Sequence, residues 1–244
     1  MAYQSRDARG RIWMTKLTTN DATPIEGAEK LGAIRETEDG RRFRYVKMTG
    51  SALALGESIM PATKVAVTDA YSASGTGPDG ATTTIITDAD AAWTPDAYIN
   101  WYFQCATSMT GSTEPIKIVG NTATTLTLEK SITTALTTSA VATDDGEILA
   151  GNAAGILTTA NDLDVSVLGV GIGAITENYY GWVQTSGITA YITDGAAEGE
   201  SVCPGGNAAG QGIAADSDAD NNVIGVCVAT SGTNEYSMVD LRIA

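Results

Sequence analysis

Ala33-Ile34-Arg35-Glu36-Thr37-Glu38-Asp39-Gly40-Arg41-Arg42-Phe43-Arg44-Tyr45-Val46 holds two extended runs on either side of an Asp-Gly pair. Asp and Gly tolerate the positive φ angles of a tight turn, so the stretch predicts a β-hairpin. Side chains alternate across a strand, which puts Phe43 and Tyr45 on one face and Arg42 and Arg44 on the other. Downstream, short strand candidates follow at close intervals: Lys64–Thr68, Ile148–Leu149, Leu163–Leu168, Tyr179–Thr185, Ile188–Ile192, Ser201–Cys203, Val223–Ala229 and Glu235–Ile243. Each is bounded by Gly, Asn, Asp or Pro, the punctuation of a sandwich or barrel. In the last of them Val239, Leu241 and Ile243 face one way and Asp240 and Arg242 the other, the pattern of a half-buried strand.

Between these segments the composition changes. Tyr71–Ala81 is rich in Ser, Gly, Thr and Asp and reads as a linker. From Thr82 to about Ala142 a Thr-rich block offers strands at Thr82–Thr87, Tyr98–Ala106, Ile116–Val119 and Thr122–Leu128. Gly120-Asn121 supplies a two-residue turn between the last two, and Ser131–Thr143 a short helix. Upstream, residues 1–32 show no sustained period. The predicted class is therefore all-β: a small sandwich or barrel main domain with an inserted Thr-rich β-domain and an extended N-terminal arm. The boundaries are 1–32 for the arm, 33–66 and 147–244 for the main domain, and 67–146 for the insertion.

The 244 residues include no His, which excludes a Ser/His/Asp triad, a Cys/His pair and a His-ligated zinc site. A net charge of −15 opposes binding to nucleic acid or to an anionic membrane. Residues 1–50 nevertheless hold ten of the fourteen basic groups and net +3, against −18 for the remainder. That asymmetry describes a basic arm lying on an acidic partner, a second copy included, or else a solvated basic terminus. The candidate interface residues are Arg6, Arg9, Arg11, Trp13 and Lys16: Ile12, Trp13, Met14 and Leu17 need cover, and a Trp flanked by Arg is a hot-spot composition. No run approaches the ~18 apolar residues of a membrane span, and Met1–Arg11 lacks the apolar stretch of a signal peptide, which predicts a soluble chain made in the cytoplasm.

Three strings look like chemistry and read better as structure. Gly169-Val170-Gly171-Ile172-Gly173-Ala174 matches a dinucleotide fingerprint, but that motif needs a helix after it to hold the pyrophosphate, and a strand candidate begins within five residues. A Gly-rich loop between strands is the reading adopted. Asp216-Ser217-Asp218-Ala219-Asp220 alternates carboxylates as a calcium loop does, yet Asn221 and Cys227 stand where that loop wants Gly and Glu, leaving a solvated acidic turn. Cys105, Cys203 and Cys227 form no metal motif and read as buried thiols. Trp93 and Trp101 read as the core of the insertion and Trp182 as a packing residue. No enzyme activity and no cofactor is expected.

Four groups of residues resemble a family of tailed-bacteriophage proteins that decorate or cement the capsid shell. They are Asp39–Val46, Ala52–Glu57, Tyr180–Gly187 leading to Asp194–Gly199, and Val223–Ala229 running into Ser237–Ile243. Ile118–Leu128 in the insertion is similar to accessory β-modules of phage virion proteins. The resemblance implies a β-rich, commonly trimeric protein on the outside of the shell, with the major capsid protein and its own copies as partners. A tail or receptor-binding component recognising host glycans is the alternative, and a glycan depolymerase is a third reading.

Overall fold

The computed structural model describes residues 5–6, 12–13, 16–22, 29–67, 85–88, 90–105, 114–130, 146–151, 154–161, 165–215, 222–230 and 232–243. Among them the regular elements are eighteen strands, with no helix. The chain is all-β and forms two units, residues 1–61 with 152–244 and residues 62–151.

In the first unit β1 (Ser5–Arg6) and β2 (Ile12–Trp13) pair with each other, followed by β3 (Ile34–Glu36), β4 (Arg42–Met48) and β5 (Ser58–Pro61). The second unit holds β6 (Val65–Val67), β7 (Ile85–Thr87), β8 (Tyr102–Cys105), β9 (Ile116–Asn121), β10 (Thr125–Leu128) and β11 (Gly146–Leu149). The first unit resumes with β12 (Ala154–Leu157), β13 (Gly169–Gly171), β14 (Tyr180–Asp194), β15 (Ser201–Pro204), β16 (Gly212–Ala214), β17 (Gly225–Ala229) and β18 (Thr233–Arg242). The sequence boundary needs moving by a few residues, because β6 and β11 pair with each other inside the second unit rather than extending the first.

β14 organises the first unit. At fifteen residues it spans about 50 Å, enough to serve two closed circuits of pairing. One runs β14, β18, β17, β15, β16 and closes on β14 through Thr193 opposite Gly212. The other runs β14, β13, β5, β12, β4 and closes through the antiparallel pairing of β4 with Tyr180–Ser186. Five strands per circuit leave an interior that side chains alone fill. Tyr191, Val202, Cys227, Val239 and Leu241 pack in the first, and Val46, Met48, Ile59, Leu168 and Val183 in the second. A third cluster, Phe43, Tyr45 and Trp182, lies on the opposite face of β4 and β14, under Leu17, Leu31 and Ala33.

Tyr179–Thr185 and Ile188–Ile192 are thus one strand, not two. Gly187 between them has a φ of +87°, and the pairing with β4 shifts register between Gln184 and Ser186, so the strand passes through a bulge instead of ending. Gly169–Gly171 is a strand as well, not the loop expected from its glycines, while residues 165–168 are not. The Asp39-Gly40 hairpin is present, with Gly40 at φ +83° and the Gly40 amide donating to the Thr37 carbonyl at 2.9 Å. Arg44 lies on the face opposite Phe43 and Tyr45, as alternation places it, and that face is buried: Arg44 is 7% exposed and its Nη1 donates to the Leu168 carbonyl at 3.3 Å. Both faces of β4 are covered, and the face that bears Arg44, Val46 and Met48 is interior to the second circuit.

The expectation of an extended arm over residues 1–32 needs a similar correction. Asp21 forms a two-way backbone bridge with Tyr180, at 3.2 and 2.9 Å, and the Thr176 amide donates to Asn20 Oδ1 at 2.9 Å. The Gly32 amide donates to the Tyr45 carbonyl at 2.8 Å. The apolar face over Tyr45 and Trp182 draws this stretch down onto its own sheet, which a search for local periodicity does not reveal.

The second unit is one antiparallel sheet in the order β6-β11-β8-β9-β10-β7. Ile116, Ile118, Leu126 and Leu128 are buried with Trp101, Phe103 and Ile148, as the alternation predicts. Gly120-Asn121 is not the turn: Asn121 still pairs with Leu126, and the chain reverses over 122–124. The buried Asn121 side chain accepts from the Tyr98 amide at 2.9 Å and donates to the Thr94 and Thr122 carbonyls at 2.9 and 3.0 Å. Asn121→Ala strands these groups, and we expect it to destabilise the unit by about 1–3 kcal/mol. Urea unfolding of the full chain checks this, and an unchanged transition would contradict it. The Ser131–Thr143 helix lies outside the described residues.

Candidate interaction surface

Over most of their length β14 and β18 form a single antiparallel ladder, with Ile188 opposite Asp240, Ala190 opposite Met238 and Ile192 opposite Tyr236. Thr189, Tyr191, Thr193, Ser237, Val239 and Leu241 are buried on its inner face. Alternation then sends Ile188, Ala190, Ile192, Tyr236 and Met238 outward. On a sheet with one solvated face those positions are normally polar. Here Ile188, Tyr236 and Met238 are 51%, 52% and 46% exposed.

These side chains form the floor of an open groove of about 420 Å³ walled by Leu55, Ile172, Arg41 and Gln184. Hydrogen bonds hold three of the walls in place. The loop bearing Leu55 is tied down at both ends: Leu53 bridges Ile175, the Gly56 amide donates to the Gly171 carbonyl, and the Ile192 amide donates to the Gly56 carbonyl, both at 2.8 Å. Glu57 accepts from the Ala54 amide at 2.7 Å. Gly56 has φ +74°, and a Cβ there would stand 2.7 Å from Tyr236 Cε1, so glycine lets the ring lie against the loop. Arg41 donates from Nε to Asp39 Oδ2 at 2.7 Å and sits 5.6 Å from the centre of the Phe43 ring. Gln184 Nε2 donates to the carbonyls of Ser186, Gly187 and Ile188 at 3.0–3.1 Å, holding the bulge.

The groove continues into a notch lined by Asp39, Gly40, Arg41, Gly187, Ile188 and Asp240. There the Thr37 hydroxyl, with help from Arg41, holds the Asp39 carboxyl below the usual carboxylate range. The polar groups of the walls are spent on positioning, and the floor offers apolar area. Such a surface suits removing a partner's apolar side chains from water, with charge at one end to set direction.

Beneath it lies a buried hydroxyl cluster. Tyr191 Oη donates to Ser58 Oγ at 2.9 Å, and Ser58 Oγ lies 2.8 Å from Thr158 Oγ1 and 3.2 Å from the Gly210 carbonyl. Burial pushes the Tyr191 phenol well above its ordinary value. Ser58 belongs to one circuit and Tyr191 fills the other, so the cluster joins the two interiors. Fully buried and mutually satisfied, it is a structural device.

Of the residues named from sequence, Lys16 is exposed. The backbone of Arg6 pairs with that of Ile12, and the backbone of Trp13 with that of Ser5. Arg9 and Arg11 lie outside the described residues, as do Asp216, Asp218 and Asp220. Trp93, Trp101 and Trp182 are buried, and Cys203 and Cys227 are buried thiols outside any disulfide. Sequence reasoning misses the groove because an apolar residue at an even position of β14 looks, one residue at a time, like a core residue. The available signal is an excess: both parities of Ile188–Ile192 carry apolar side chains, and so do both parities of Tyr236–Leu241. Compared with known proteins, the chain matches no family model, no curated protein and no solved structure.

Proposed function

We propose that the chain is a structural virion protein, made in the host cytoplasm, that binds the outside of a phage capsid shell as a homotrimer and cements or decorates it through protein–protein contacts. The observation that carries this reading is a convergence. The four groups of residues that resemble shell-decorating proteins are far apart in sequence, yet each contributes to one apolar surface. Asp39–Val46 supplies Arg41, Ala52–Glu57 supplies Leu55, Tyr180–Gly187 supplies Gln184, and Ser237–Ile243 supplies Met238. A cementing protein needs complementary area rather than reactive groups, and many copies on one shell gain strength from multivalency.

The test is cosedimentation of the purified full chain with shells assembled from the major capsid protein of the phage that encodes it. Binding should saturate at a fixed, high copy number per shell. Failure to sediment with shells, together with retention on host cells, would overturn the reading in favour of a receptor-binding tail component.

A further inference from the structure

The outer face of β14 is covered for half its length and largely bare for the other half. Around Trp182 it lies beneath Leu17, Leu31 and Ala33 of the same chain. From Ile188 onward only the loop bearing Leu55 and Gly56 reaches it, against Tyr236 and Ile192, and Ile188, Tyr236 and Met238 stay about half exposed, while Ile172 borders both halves. The residues just before Leu17 are Ile12-Trp13-Met14, flanked by Arg9, Arg11 and Lys16.

We propose that the groove over Ile188, Tyr236 and Met238 seats Ile12–Met14 of a second copy of this chain, with Trp13 as the anchoring side chain. The proposal rests on reading the chain as a self-associating shell protein and names the surface through which it associates.

Charge selects this occupant. From Asn152 to Leu241 the chain carries eleven acidic residues and no basic one, and this stretch supplies the groove floor. Residues 1–16 carry four basic groups against Asp7 alone, net +3. An apolar triplet with basic flanks suits an apolar floor set in a stretch of opposite net charge; the notch carboxylates Asp39 and Asp240 are themselves paired with Arg41 and Arg242. A buried Trp beside Arg is also the composition that concentrates binding energy.

Reach selects a second copy over the same chain. Leu17 is held in the cluster around Trp182, and the four residues from Leu17 back to Trp13 extend at most about 14 Å. Along β14 the distance from Trp182 to Ala190 is about 26 Å. A chain tethered at Leu17 over Trp182 therefore leaves the Trp13 backbone short of the Ala190–Met238 pair, a limit that does not apply to a neighbour's arm.

The experiment combines solution mass with directed cross-linking, on the full chain. Light scattering at micromolar concentration should give a multiple of 25.1 kDa. Trp13→Ala should raise the dissociation constant about thirtyfold, the effect of truncating a hot-spot aromatic. Oxidising a mixture of Ile12→Cys chains, which keep Trp13, and Met238→Cys chains should give a disulfide-linked dimer that neither variant gives alone. Trp13→Phe, which keeps an aromatic ring, should retain most of the association, so that a general folding defect is separated from loss of the anchor. A monomeric full chain, or an oligomer indifferent to Trp13→Ala whose mixed cysteine variants do not cross-link, would overturn the proposal. Shell binding is measured on the same samples. An oligomer that cross-links as expected but ignores shells would overturn the proposed function and leave this inference standing.

Discussion

Trp182→Ala is expected to destabilise the first unit by about 3–5 kcal/mol, the range for truncating a large buried aromatic. Trp182 is 1% exposed and lies opposite Tyr45 in the β4–β14 register, with ring centroids 5.1 Å apart. Phe43, Tyr45, Leu31 and Leu17 surround it, and those last two belong to the stretch that folds back over the sheet. Relaxation cannot fill the space, because Trp182 sits on a strand paired on both edges close by: Val183 and Gln184 face β4 on one side and β13 on the other. The loss should also loosen residues 16–22, whose apolar contact to the sheet is through Leu17. Urea unfolding followed by circular dichroism measures the first effect, and amide exchange at Asp21 the second. A destabilisation below about 1 kcal/mol, typical of an exposed site, would show that this cluster is not part of the core.

Gly171→Ala is expected to cost about 1–3 kcal/mol or more, while Gly173→Ala two residues away should be close to neutral. A Cβ on Gly171 would stand 2.4 Å from the Ala54 carbonyl oxygen and 3.0 Å from Leu53 Cγ. The first is backbone and cannot rotate away. Moving it would disturb the loop that carries Leu55 and Gly56 to the edge of the groove. A Cβ on Gly173 meets nothing within 4 Å. Gly169 follows the same rule as Gly171, since its Cβ would stand 2.5 Å from Val183 Cγ2 and 3.0 Å from the Gln184 carbonyl. The glycines that imitate a dinucleotide fingerprint are thus explained by close approach of neighbouring backbone and side chains within the sheet. Equal effects at Gly171 and Gly173 in urea unfolding would contradict that explanation.

Where the information is local, the sequence is legible. Asp39-Gly40 marks a hairpin because a two-residue signal decides it. The alternation of Ile116, Ile118, Leu126 and Leu128 decides which face of β9 and β10 is buried. The terminal strand reads correctly because Val239 and Leu241 pack inward at a period of two. What failed needed knowledge of a third element. The side of β4 that bears Arg44 is legible from alternation, but its burial is not until β12 and β13 close a circuit around it. Gly187 looks like a strand end until β4 and β18 are both seen to pair with Ser186. Residues 16–22 and 29–33 look unpatterned because what holds them is the face of Tyr45 and Trp182, remote in sequence.

The candidate surface illustrates the same limit. Its floor comes from two strands and its walls from three loops and Gln184 of β14, so no window of sequence contains it. Only the apolar residues on both parities of β14 and β18 hint that this ladder has two faces to cover. One face meets the barrel interior. The other is the face proposed to meet protein.

The most direct test of a shell-decorating role is an electron cryomicroscopy reconstruction of the assembled virion that contains this chain. Density for the two closed circuits of the first unit is expected at regular, symmetry-related positions on the outer surface of the shell, in clusters of three. Density confined to the tail, or a shell surface that is the same with and without the chain, would contradict that role.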